Sequence, residues 1–203
     1  MEAALFGSVF VTFFVIMNPI GLLPVFLPMV AKRTTKQIHR LAWQAAAMSL
    51  GVITTFAIFG DAILSYLHIS LPALRVAGGL LLLLVALQLL MSGEVSSGVT
   101  DDDANIALVP LGTPLLAGPG AIVAAILFVR DAHGDAVQLL AIAAGIVAIH
   151  LVIWLTLRFS TVIMRALRPA GVTVISRIAG LLLAAIAVQL MADGIHDFIV
   201  SWQ

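Results

Sequence analysis

The chain contains no cysteine. That excludes disulfides, thiolate metal sites and cysteine nucleophiles together, and it leaves the redox compartment unmarked. Charge is scarce too: 10% of the 203 residues are Asp, Glu, Lys or Arg, where a soluble domain carries about 25%. The formal net charge is zero, so there is no basic footprint for a nucleic-acid partner. No polar stretch is long enough to build a separate soluble domain, and no Gly-x-Ser-x-Gly elbow signals a serine hydrolase. His150 has no second histidine or carboxylate at metal-ligand spacing on its stretch. These absences describe a protein that is not an enzyme and holds no metal or other cofactor.

What is present is apolar sequence, 62% hydrophobic with a mean hydropathy of +1.18. It divides into six stretches, about 4–30, 41–66, 72–91, 105–129, 136–157 and 174–200. Each supplies the roughly 20 apolar residues that a helix needs to cross a bilayer. The chain therefore reads as one integral, all-α membrane domain over 1–203. The first stretch does not read as a cleaved leader, since Met1-Glu2 lacks a basic start and the run contains Asn18-Pro19. If the links alternate sides, eight of the ten basic residues fall on one side: Lys32, Arg33, Lys36, Arg40, Arg158, Arg165, Arg168 and Arg177. Only Arg75 and Arg130 fall on the other, which makes the first side cytoplasmic and places both termini outside.

Two of the six stretches are interrupted. Met17-Asn18-Pro19-Ile20-Gly21 breaks the first, and Gly118-Pro119-Gly120 breaks the fourth. Proline removes a backbone donor and clashes with the preceding turn, while glycine closes helices and proline opens them. Asn18 before Pro19 is a good capping pair, its side-chain oxygen able to accept from exposed N–H groups. Both breaks fall near mid-span, where freed backbone groups must be buried in protein or line a cavity.

The two halves also resemble one another. Gly79–Gly93 aligns with Gly180–Gly194 at an offset of 101, with eight of fifteen positions identical, Gln88/Gln189 among them. Pro19 falls on Pro119 at an offset of 100. The organisation is then a first repeat (1–93), an acidic linker (94–104) and a second repeat (105–203). Three spans per unit is an odd number, so the second unit is inverted, as in several transporter folds with paired broken helices.

No Asp, Glu, Lys or Arg lies central in any span. That argues against a carboxylate proton relay. Gln88, Gln189 and Thr113 are the polar side chains placed to support the breaks, with interhelical bonding as the plainer role. His150 reads first as a packing histidine and second as a proton-handling one. A small zwitterion suits such a chain. Helix N-termini attract its carboxylate and helix C-termini its ammonium, and Gly21, Gly118 and Gly120 would leave room for little beyond a methyl group.

At Asn18-Pro19-Ile20-Gly21, Pro114-Leu-Leu-Ala-Gly-Pro-Gly-Ala-Ile122 and Arg177-Ile-Ala-Gly-Leu…Gln189-Leu-Met-Ala-Asp-Gly-Ile195, the chain resembles the MarC family. Those are six-span inner-membrane proteins related to amino-acid exporters of the LysE superfamily. The resemblance implies a transporter of small neutral amino acids, glycine and alanine foremost. Carried over position by position, the site it implies draws on Asn18, Pro19, Ile20 and Gly21, and on Ala117, Gly118, Pro119 and Gly120. A coupling Na⁺ or H⁺ and a homo-oligomer stay open. So do two other functions: a non-transporting membrane scaffold or accessory protein, and a transporter of another small solute or ion.

The orientation is testable. A periplasm-active reporter fused after Gln203 is expected to be active, and one inserted in the 94–104 linker silent; the reverse pattern would overturn the assignment from basic residues.

Overall fold

The computed structural model describes residues 2–30, 33–91 and 116–201, and these form seven helices and no strand. The helices are α1 (Glu2–Met17), α2 (Leu23–Val30), α3 (Thr35–Tyr66), α4 (Leu71–Met91), α5 (Pro119–Asp131), α6 (Ala136–Arg158) and α7 (Ser160–Ser201). The linker expected at 94–104 and residues 105–115, with Thr113, lie outside the described residues. Four helices are long and apolar enough to cross a membrane: α3, α4, α6 and the Ala170–Val200 part of α7. The protein is thus an all-helical membrane protein.

Side-chain caps account for the starts of α3 and α6. Thr34 caps α3 in a reciprocal box with Gln37, so α3 begins six residues before the expected span. Asp135 caps α6 by accepting from the Val137 and Gln138 N–H groups, which hold its carboxyl below the usual carboxylate range. α7 turns at Arg168, whose backbone is left-handed at φ 57°, and its membrane-length part follows.

Lipid is as apolar as leucine, so helices in it associate by close packing rather than by hydrophobic exclusion. Glycine provides that closeness here. A Cβ on Gly79 of α4 would stand 2.7 Å from the Ala187 carbonyl oxygen and 2.6 Å from Met191 Cγ, both on α7. A Cβ on Gly180 of α7 would stand 3.3 Å from the Ala86 carbonyl oxygen and 3.3 Å from Leu90 Cγ, both on α4. Leu82, Ala86, Leu183 and Ala187 fill the seam together with Val15 of α1. The opposite sides of these helices turn large apolar residues outward, among them Leu80, Leu84, Leu181 and Val188. In a bilayer those faces meet lipid.

A second, larger core joins α1, α2, α3, α5 and α6. Gly145 of α6 lies against Val9 of α1, and Gly60 of α3 lies against Ile126 of α5. Phe13 and Phe128 stack at 6.4 Å between α1 and α5. Polar bonds mark the two ends. At one, Trp43 of α3 meets Trp154 of α6 edge-on at 6.3 Å, with Arg158 over the Trp154 ring at 5.4 Å. Such aromatic and basic groups suit a membrane interface. At the other, Arg130 of α5 donates to Asp61 of α3 at 3.1 Å, and Arg75 of α4 donates to Asp197 of α7.

The seam generates a stability prediction. Gly79→Leu is expected to destabilise the protein in detergent unfolding by about 1–3 kcal/mol, as overpacking does. Gly51→Ala, where a Cβ meets nothing within 4 Å, is the control and should be close to neutral. Equal effects would show that the α4–α7 seam is loose.

Candidate functional site

The first break is built around Asn18. Pro19 has no N–H, so the Val15 carbonyl loses its ordinary helical partner and α1 stops. The chain turns at Asn18, which adopts the left-handed region at φ 40°, a conformation that asparagine tolerates better than most residues. Its N–H still donates to the Phe14 carbonyl at 3.0 Å, while its Oδ1 accepts from the Gly21 N–H at 3.2 Å. The expected capping by Asn18 is thus seen, one turn ahead of α2. Its Nδ2, in contrast, is buried without a hydrogen-bond partner. An unpaired amide donor away from water is costly.

The second break ends at Gly118, an extended N-cap at φ −62°, ψ 162°, with Pro119 opening α5. Gly118 has no side chain, so no side-chain oxygen caps α5. The Gly118 carbonyl accepts from the Ala121 and Ile122 N–H groups. What remains at this end is the positive pole of α5 without a side-chain counter-dipole.

The structure brings the two breaks into one buried cluster. Met17 and Leu22 from the first share it with Leu116, Ala117 and Ala121 from the second. Asn18, Pro19, Gly21, Ala117 and Gly120 are buried; Ile20 and Gly118 are half-buried. The end of α1 and the start of α5 therefore belong to one core, so a C-terminal and an N-terminal helix pole share it.

The described surroundings of the two breaks are closely packed. The glycines do not surround an open space: a Cβ on Gly21 would strike the Asn18 amide, and one on Gly120 would strike the Leu82 side chain. Their smallness is taken up by packing. Neither cavity described here is lined by a break residue; one of about 200 Å³ lies between α1, α4, α5 and α7, and one of about 520 Å³ between α3, α5 and α6. Gln88 and Gln189 are exposed, and Gln189 donates to Asp193 on its own helix at 2.7 Å, so it is not seen supporting a break. Thr113 is outside the described residues.

His150 is buried and used at both ring nitrogens. Its Nδ1 donates to the Ile146 carbonyl at 2.7 Å, so Nε2 is the unprotonated nitrogen and accepts from the Ser49 hydroxyl at 3.1 Å. That bond joins α3 to α6 and fits the packing role. Sequence reasoning missed the group around Arg75. Arg75 bonds Asp197 and lies 4.0 Å from Asp131, with Asp193 lining the same cavity. The signal was faint: basic residues at the start of one span and acids at the ends of two others, 122 residues apart in the closest pair.

Comparison with known proteins is uniform. The family described as MarC family integral membrane protein matches residues 3–199. The UPF0056 membrane protein MJ1677 of Methanocaldococcus jannaschii is 34% identical over 97% of this chain and 98% of its own. That of Aquifex aeolicus is 33% identical over 96% and 94%, and YhcE of Escherichia coli 32% identical over 92% and 89%. No solved structure matches.

The Asn18 geometry can be tested on stability alone. Asn18→Gly accepts the left-handed backbone and is expected to cost a few tenths of a kcal/mol up to about 1 for the lost cap. Asn18→Val adds β-branched strain of about 1–3 kcal/mol. Equal unfolding midpoints for the two variants would contradict the left-handed break.

Proposed function

We propose, on the premise that this chain belongs to the MarC family of integral membrane proteins, that it is a secondary transporter of small neutral amino acids, with glycine and alanine as substrates. It is not an enzyme in this reading and needs no cofactor. One observation carries it: the uncapped start of α5 shares a buried cluster with the end of α1, beside an Asn18 amide that has no partner. Helix N-terminal N–H groups carry about half a positive charge and suit the substrate carboxylate. Carbonyls freed at the end of α1, Val15 above all, suit the ammonium. Asn18 Nδ2 supplies a further donor. No charged side chain is needed at that depth, and the spans hold none there.

The packing supports two inverted three-span units as the frame for this site. Exchanging α2 with α5, α3 with α6 and α4 with α7, the pairing that Pro19 and Pro119 set, puts their contacts in correspondence: α2 packs on α6 and α7 as α5 packs on α3 and α4. The Gly79 and Gly180 contacts are reciprocal in the same way, and Ser49 meets His150, 101 positions on. In this reading residues 1–93 and 105–203 are the units, and the protein sits in the inner membrane with both termini outside. Rocking of one unit against the other would expose the midplane site alternately. Coupling to Na⁺ through free carbonyls, or to H⁺, completes the transporter.

One observation favours a non-transporting scaffold instead, namely that Asn18 and Leu82 fill the space at Gly21 and Gly120. Flux separates the two. Vesicles holding the purified protein are expected to take up labelled glycine and alanine saturably, each competing with the other. Arginine, glutamate and tryptophan should not compete. Pro119→Ala, which lets the break partly reseal, should weaken transport by about two- to thirtyfold, the range that ~0.5–2 kcal/mol of helix-end electrostatics corresponds to. Imposed Na⁺ and pH gradients then identify the coupling ion. Absence of any amino-acid flux with folded protein would favour the scaffold.

A further inference from the structure

The cavity of about 200 Å³ between α1, α4, α5 and α7 is charged, which is unusual in this chain. Thr12 and Ile16 of α1 line it, as do Ala124 and Asp131 of α5, Arg75 of α4 and Asp193 of α7. At 1.5 Å per residue, Ile16 lies about 3 Å along α1 from Asn18, and Ala124 about 7.5 Å along α5 from Pro119. Asp131, at the far end of α5, lies about 18 Å from Pro119. The cavity thus runs alongside the two helix poles of the broken pair toward one end of the bundle, where Arg75 stands.

The charges there are of both signs and are incompletely matched. Arg75, with its side chain 20% exposed, bonds Asp197 and lies 4.0 Å from Asp131. Asp193 is half-buried, and the partner seen for it is the neutral Gln189 amide. Among the described residues no ion pair reaches Asp193. One guanidinium fork and one carboxylate without a cation therefore face the same small space.

We propose that this cavity is a second binding site for a small zwitterion, an entry site that takes the substrate before the broken helices do. Arg75 holds the ligand carboxylate through its fork of donors, displacing Asp197. Asp193 holds the ammonium. The inference rests on the transport reading for its place on a route, but the site itself is defined by binding. A ligand with both charges engages both groups and returns Asp197, 37% exposed, to water; an anion leaves Asp193 unmatched, and a simple cation meets Asp193 but gains nothing from Arg75, which stays with Asp197.

Equilibrium binding of labelled glycine to the purified full-length protein in detergent tests this. Arg75→Gln and Asp193→Asn should each weaken the cavity's phase of glycine binding at least about tenfold, the effect of about 1.4 kcal/mol, leaving a site at the breaks as the unchanged phase. Asp197→Asn removes the bonded competitor for Arg75, leaving among the described residues only Asp131 at 4.0 Å, and should tighten binding severalfold. If Arg75→Gln fails to fold, Arg75→Lys, which keeps the charge but loses the fork, should still weaken binding severalfold. Alanine should compete, whereas acetate and methylammonium should not at the same concentrations. The site is refuted by wild-type protein that binds no glycine, or by folded Arg75 and Asp193 variants that bind as wild type does. It is also refuted if Asp197→Asn weakens binding as much as Arg75→Gln, since the pair is then a structural brace. Flux measured alongside keeps the two readings apart. Binding with these signatures but no flux removes the transporter and leaves the site. Glycine flux unchanged in both the Arg75 and Asp193 variants, with binding unchanged, removes the site and leaves the transporter.

Discussion

A backbone N–H or C=O in hydrocarbon has no water to turn to, and this constraint organises the rest of the structure. Four helices meet it in the simplest way, by satisfying their own backbone along a membrane-spanning length. The first and fourth stretches cannot, because Pro19 and Pro119 interrupt the ladder. Their ends must be covered by protein. That is why the two breaks sit in a single buried cluster, ringed by α3 and α6, and not on a lipid-facing side.

Covering the breaks demands helices that approach closely, and small residues allow it. Gly79 and Gly180 bring α4 and α7 within reach of each other's carbonyls, while Gly60 admits the Ile126 side chain of α5 to α3 and Gly145 admits Val9 of α1 to α6. The same economy of space reaches the breaks, where Asn18 and Leu82 occupy what glycine leaves open. The charged cavity beside the breaks, in contrast, is open. Buried polarity follows the same logic: His150 is held by Ser49 and a carbonyl, while among the described residues the Asn18 amide is a buried side-chain donor without a partner.

Much of the fold could be read directly. Hydropathy located α3, α4, α6 and the long part of α7 to within a few residues, missing chiefly the Thr34 cap that extends α3. The breaks were legible because proline and glycine act on their own neighbours: Gly118-Pro119 does start a helix, and Asn18 does cap the turn it begins. The matched positions of Gln88 and Gln189 identify related faces of α4 and α7; both side chains are exposed, and Gln189 bonds Asp193 on its own helix.

The sequence by itself determined that this is an integral membrane protein, where its helices run and where two of them fail, because transfer to hydrocarbon and backbone sterics are local properties of each segment. The tertiary structure alone decided which helices touch, and hence which residues meet. Ser49 finds His150 across 101 residues and Arg75 finds Asp197 across 122. Nothing in either neighbourhood specifies such a pairing. It depends on how closely glycine-bearing faces can approach, and that is settled only when all the helices pack at once.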